Sequence, residues 1–355
     1  EPLRNSLLRQ RYDWTWHAKA LWKVLSLIGD VVSPTVPILS LIGETDTKFI
    51  IAGTLAAQDA GFHLRSAALD GEDISLQTTW EQDVAVLPQP DNTLQAEAKA
   101  SAVDFLLKNG EPVPFLSLFS HMLLTLQRKG HLAGQPDKQP NKTINELEDQ
   151  IESVLTDDRT FARFFAGASI DTGLYWLQEP PDYYISLADR VEQNVLAYLR
   201  AHGTASMAQI NEALHAQLRG LFTPDPETIL EVLESYADPV EGEPNTWRLK
   251  ERESIARRQA DTREMQTLAA DLATRLKYNR IITPEGIFWK GETNATQYAV
   301  FTLTTAAILP FLLNEHDKPG VKILLLPGSR ATLLTFKLKK DPNLETLLTP
   351  DWHVI

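Results

Sequence analysis

Two stretches of this chain follow one pattern, and that repetition narrows the folds open to it. The first runs from Val103-Asp104-Phe105-Leu106-Leu107-Lys108-Asn109-Gly110 to Tyr175-Trp176-Leu177. The second runs from Leu196-Ala197-Tyr198-Leu199-Arg200-Ala201-His202-Gly203 to Thr246-Trp247-Arg248-Leu249. In each, an apolar helical stripe stops at a glycine, two further stripes follow, and a short run with a tryptophan closes the segment. The order predicts a three-helix core closed by a β-wing.

That arrangement is the winged helix, a module that binds DNA or a partner protein more often than it catalyses. The two copies are expected over residues 95–180 and 183–252. In the first, Pro112 and Pro114 open the second helix, and residues 128–142 form a polar, basic loop. Thr143 is expected to cap the third helix, with Ile144, Leu147, Ile151, Val154 and Leu155 inside, and Phe161, Phe164 and Phe165 adding core. In the second, Val191, Val195, Tyr198 and Leu199 mark the first helix; Asp225 and Pro226 read as cap and first-turn residue of the third. Residues 239–245 make the wing tip. Glu179-Pro180-Pro181-Asp182-Tyr183-Tyr184 reads as a linker.

Residues 1–90 read as an α/β segment. A helix is expected over 14–28 and a buried strand over 37–42. A second helix, capped by Thr45 or Asp46, ends at Ala60-Gly61, and strands follow over 62–67 and 74–80. Residues 86–94 read as a linker. Residues 253–355 open with a charged helix and continue in the order αβββαβ, then a further helix and strand. That is the core order of restriction-endonuclease-like nucleases. The whole is an α+β, multidomain chain.

Of its 355 residues, 43% are hydrophobic and 23% charged, which is ordinary globular composition. The absence of cysteine excludes disulfides, cysteine-ligated zinc and a cysteine nucleophile, and fits the cytoplasm. No apolar run reaches membrane-spanning length, so no membrane partner is expected. The chain begins at Glu1 and stops inside an apparent strand, which reads as a fragment of a longer protein. The net charge of −13 counts against nonspecific DNA binding by the whole surface, because such affinity comes from lysines and arginines that displace counterions.

An active nuclease of that core order needs an acidic residue and a lysine two apart on its third strand, to hold a divalent cation and activate water. That strand reads Tyr298-Ala299-Val300-Phe301-Thr302-Leu303, without a charge. Glu285, Lys290 and Glu292 flank or occupy the second strand at the wrong spacing. A divergent metal-dependent nuclease is therefore the alternative reading, and no catalytic residue, metal or cofactor is assigned. Pro327-Gly328-Ser329-Arg330, after a strand and before a helix, offers a phosphate site at a helix N-terminus, although an ordinary turn needs the same residues. With Lys318, Lys322, Lys337, Lys339 and Lys340, the residues Ser329 and Arg330 make the nucleic-acid-binding candidates; a solvated helix face is the plainer reading.

The third helices carry the wrong sign for a DNA reader. The second has Asp225, Glu227, Glu231 and Glu234; the first has Glu146, Glu148, Asp149, Glu152 and Asp157. Carboxylates facing phosphates oppose binding, so these faces are expected to meet protein. His121, His131, His202 and His215 read as separate surface or turn residues without metal-ligand spacing.

Residues 21–69 resemble the tail of a methyltransferase α/β domain. Leu21 to Ile28 and then Pro37 to Ile42 look like a helix and a late strand, and Ala60-Gly61-Phe62 ends a closing helix before the last strands. Leu106-Leu107-Lys108-Asn109-Gly110-Glu111-Pro112 and the winged-helix pattern are similar to C-terminal regions of large bacterial DNA methylase proteins from restriction and defence loci. The family's glycine motif and catalytic Pro-Pro-aromatic motif are missing, so no catalytic role carries over. The resemblance implies an accessory, non-catalytic region that binds DNA or a partner, with protein partners or further domains meeting the acidic faces.

Overall fold

Asp13 starts the first helix of the computed structural model by accepting a hydrogen bond from the Trp16 amide at 2.9 Å. The structure describes residues 13–43, 45–70, 75–82, 90–132, 140–283, 286–292, 295–315 and 320–355. By internal contact the chain divides into two units, Glu1–Pro180 with Arg219–Thr223, and Pro181–Leu218 with Pro224–Ile355. It is a mixed α+β protein with several small sheets. No described helix is long and apolar enough to cross a membrane.

In the first unit, α1 (Trp14–Val31) leads to β1 (Ile38–Ile42), α2 (Thr47–Asp59), β2 (His63–Asp70) and β3 (Ser75–Glu81). Of the two expected caps, Asp46 serves α2, accepting from the Lys48 amide at 2.9 Å. The strands form one antiparallel sheet in the order β1-β3-β2, with Ile38 opposite Trp80 and His63 opposite Glu81. The expectation of a buried strand at 37–42 is corrected. β1 lies at the sheet edge, and Leu39 and Leu41 are 74% and 67% exposed, because alternate side chains of a strand face opposite sides.

The first repeat follows: α3 (Leu94–Asn109), β4 (Val113–Pro114), α4 (Phe115–Arg128), α5 (Pro140–Leu155), β5 (Phe161–Phe164) and β6 (Leu174–Leu177). In the second unit the same order recurs as α6 (Leu187–His202), β7 (Thr204–Ser206), α7 (Met207–Gln217), α8 (Pro226–Tyr236), β8 (Ala237–Pro239) and β9 (Thr246–Leu249). The sheets also match. The strand after the first helix and the strand after the third both pair antiparallel with the last strand, giving β4-β6-β5 and β7-β9-β8. Gly110 and Gly203 hold the equivalent turn at φ +72° and +78°, left-handed backbone that a side chain would strain. Each donates its amide back into its helix, to Leu106 and Leu199 respectively.

Three expectations change within the repeats. α5 begins at Pro140 rather than after a Thr143 cap, since proline's fixed φ suits a first helical turn. Residues 133–139 of the expected basic loop lie outside the described residues. Phe165 adds no core: it is 71% exposed, at a left-handed φ of +53°, while Phe161 is buried.

His121 is the third correction. It lies inside α4 and stacks on Phe105 at 4.4 Å between ring centroids. Burial lowers its pKa from 6.5 to about 4; Asp104 opposes that shift, and Arg128 and Lys108 add to it. The folded protein thus holds this imidazole neutral between those values while the unfolded chain protonates it. Stability from this group is full above pH 6.5 and is lost as pH falls towards 4. We expect acidification across that window to cost on the order of 2 kcal/mol through His121, and His121→Leu to flatten the dependence. Urea midpoints of both proteins between pH 7 and pH 4 check this; parallel curves would contradict it.

The second unit continues with α9 (Ile255–Arg275), β10 (Asn279–Ile282), β11 (Ile287–Lys290), β12 (Thr296–Thr302), α10 (Leu309–Glu315), β13 (Val321–Leu325), α11 (Ala331–Lys340), α12 (Pro342–Leu347) and β14 (Trp352–Val354). The strands run in sequence order β10-β11-β12-β13-β14. β10–β11 and β11–β12 pair antiparallel, while β12–β13 and β13–β14 pair parallel. Ala269, Ala270 and Ala273 of α9 pack on Ile287, Trp289 and Val300 of the sheet.

Candidate functional site

α6 buries Asp189 and Glu192 together with Val191, Val195, Leu196 and Leu199. Carboxylates there need a cation, because an unpaired charge away from water is strongly disfavoured. Lys337 supplies it. On α11 it shares a buried face with Leu333 and Leu334, is 2% exposed, and places Nζ 2.6 Å from Asp189 Oδ1 and against Glu192 Oε2. Glu192 also accepts from the Ala306 amide at 2.9 Å and from the Tyr236 hydroxyl. Burial opposes the Lys337 charge, but Asp189 and Glu192 outweigh it and hold the ammonium above its ordinary range. Burial pushes the Asp189 carboxyl up, against the pull of Lys337.

Arg330 makes a second centre beside it. The short turn Gly328–Arg330 places its side chain at 0% exposure, with the guanidinium 3.4 Å from the Tyr236 ring centroid. It donates to the Ser235 carbonyl at 2.9 Å, to the Thr304 carbonyl at 3.2 Å and to Glu253. Glu253 accepts from Arg258 as well, at 2.9 Å through Nε. Burial alone would raise the Glu253 carboxyl, but Arg258 and Arg330 together hold it below its usual range.

The nucleic-acid-binding candidates are therefore scattered. Arg330 and Lys337 are buried in ion pairs, which removes them from any surface a phosphate reaches and corrects their assignment. Lys322 is 3% exposed, with its ammonium over the Trp352 ring at 5.7 Å. Lys340 is bonded to Asp225 and, at 2.8 Å, to the Thr228 hydroxyl. Ser329 is half-buried, and its carbonyl accepts from the Ser235 hydroxyl at 2.8 Å. Lys339 is exposed. Lys318 and Glu285 lie outside the described residues. The proposed phosphate cradle at 327–330 is thus a turn whose arginine points inward.

A cleft of about 460 Å³ opens on the other side of Glu253. One wall is a single face of α9, with Arg258, Gln259, Thr262, Arg263 and Gln266 at helical spacing. The other is formed by Arg200 at the end of α6 and by Thr304 and Thr305 just past β12. Arg258 is held in place by Glu253 and by Asp261 at 3.3 Å. Among the described residues, Arg200 and Arg263 have no acidic partner. The sequence held only part of a signal for this site: of the dense basic run Arg248, Lys250, Arg252, Arg257, Arg258 and Arg263, only Arg258 and Arg263 line the cleft. Interleaved Glu251, Glu253 and Asp261 hid it.

Comparison with protein-family models, with curated proteins and with solved structures finds no match.

Proposed function

We propose that this chain is an accessory, non-catalytic region of a bacterial DNA-modification or defence protein, in which two winged-helix modules act as scaffolds for α/β segments. One observation carries the reading: the third helix of each repeat is occupied within its own unit. α5 packs on α1 and α2, with Lys48 Nζ 3.2 Å from Glu148 and the Thr47 hydroxyl donating to the same carboxylate. α8 packs on α6 and α11, and its cap Asp225 is bonded to Lys340. A helix so engaged is not free to enter a major groove.

The shared αβααββ order and the matching sheets support the winged-helix assignment. The segment β1-α2-β2-β3, with the last strand inserted between the first two, supports kinship with the closing part of a methyltransferase α/β domain. The order β10 to β14 supports an endonuclease-like scaffold, and the uncharged β12 argues against catalysis on it. Partner proteins or further domains are the expected ligands, with DNA contact confined to a few surface cations.

Fluorescence anisotropy with duplex DNA across a salt series tests the reading. Duplex binding is expected to be weak, with a log–log salt slope of about −2 or shallower, as for two or three neutralised phosphates. Glu234→Gln on the exposed side of α8 should leave it unchanged. Tight, steeply salt-dependent binding that responds to Glu234→Gln would overturn the scaffold role. No salt-dependent binding at micromolar protein would remove the DNA contact.

A further inference from the structure

We propose that the cleft along α9 binds a phosphate-bearing ligand; its volume of about 460 Å³ is that of a small-molecule site. This stands independently of the winged-helix reading. A helix face turned to the protein body is ordinarily apolar, and the second half of α9 obeys that rule with Ala269, Ala270 and Ala273. The first half turns Arg258, Thr262, Arg263 and Gln266 to the cleft instead. None of these four is fully buried and Arg263 is exposed, so they present hydrogen-bond donors to an open cleft.

The charge points to an anion. In a chain with 47 acidic and 34 basic residues, Arg200 and Arg263 line one cavity and neither is paired with a carboxylate among the described residues. The single acid there, Glu253, is already shared by Arg258 and the buried Arg330. Two unpaired guanidinium forks with the Thr304 and Thr305 hydroxyls nearby suit an anion with several oxygens, as in a phosphate or diphosphate. Placement agrees. Thr304 and Thr305 follow the carboxyl end of β12, where the sheet changes from antiparallel to parallel, and the ends of parallel strands are where open sheets take ligands. The wall is also pre-organised, since Arg330 anchors the Thr304 carbonyl and Glu253 fixes Arg258.

Isothermal titration of the whole chain with inorganic pyrophosphate, ATP and a short single-stranded oligodeoxynucleotide tests the site. At least one probe should bind, and the double charge reversal R200E/R263E should weaken it about tenfold or more, the loss of one or two charge-assisted hydrogen bonds. The thermal midpoint should stay where it was. Arg275→Glu, on the same helix beyond the cleft, should bind as the parent does. Binding of ATP and pyrophosphate identifies a free nucleotide as the source of the phosphate, and binding of the oligonucleotide alone identifies a strand; either supports the site. If the charge-reversed protein does not fold, R200Q/R263Q decides by the same criterion. No binding of any probe at millimolar concentration, or parental binding by the double variant, overturns the proposal.

Discussion

Lys337→Met is expected to destabilise the protein by about 3–5 kcal/mol, because it strips the cation from two carboxylates that cannot reach water. Asp189 and Glu192 lie one helical turn apart on the buried face of α6, and Lys337 is bonded to both. Methionine replaces the lysine stem with little change of volume, so the loss reports charge and not packing. Adding Asp189→Asn and Glu192→Gln should restore most of it, since a neutral trio avoids the desolvation of all three ions. The deficit should also shrink in acid. Without the ammonium nothing offsets the burial that already pushes the Asp189 carboxyl up, and a carboxyl raised in the folded state favours folding below its unfolded pKa and opposes it as pH rises. Guanidinium midpoints for the parent, the single and the triple variant give the answer. A single variant within about 1 kcal/mol of the parent would show that water reaches this site.

Arg330→Met should cost about 3–4 kcal/mol, through the loss of charge-assisted hydrogen bonds and of the cation–π contact with Tyr236. Arg330→Lys should do little better: one ammonium cannot reach the Ser235 carbonyl, the Thr304 carbonyl and Glu253 together. A double-mutant cycle with Glu253→Gln should return a coupling of about 1–3 kcal/mol, reduced because Glu253 keeps Arg258. Hydrogen exchange should quicken around Thr304 in the arginine variant. Additivity within about 0.5 kcal/mol would mean that the pair is not coupled.

The repeats were legible because their signals are local. Asn109-Gly110 and His202-Gly203 stop helices by backbone geometry alone, and Asp225-Pro226 starts one. The cations were misread for the opposite reason. Counting Arg330 and Lys337 as surface charge ignored their company: Lys337 shares a face with Leu333 and Leu334, and Asp189 and Glu192 sit among Ala188, Val195 and Leu196 on a helix buried over most of its surface. Acids and bases placed on apolar stripes imply each other, even 148 residues apart. Edge or centre for β1 depends on strands that arrive later in the chain, so a run of Ile-Leu-Ser-Leu-Ile cannot reveal it. The cleft needed Thr304 and Thr305 brought opposite α9, which no spacing along the chain announces.

The open flank of β1 bears on how the protein behaves in a tube. A strand with no neighbour on one side among the described residues, and with two leucines towards water, offers a template for growth from molecule to molecule. At neutral pH the surplus of negative charge keeps the copies apart. Protonating the carboxylates removes that repulsion, so concentrated samples will cloud first in mildly acidic buffer, and a lysine at position 39 or 41 is the simplest way to keep them clear.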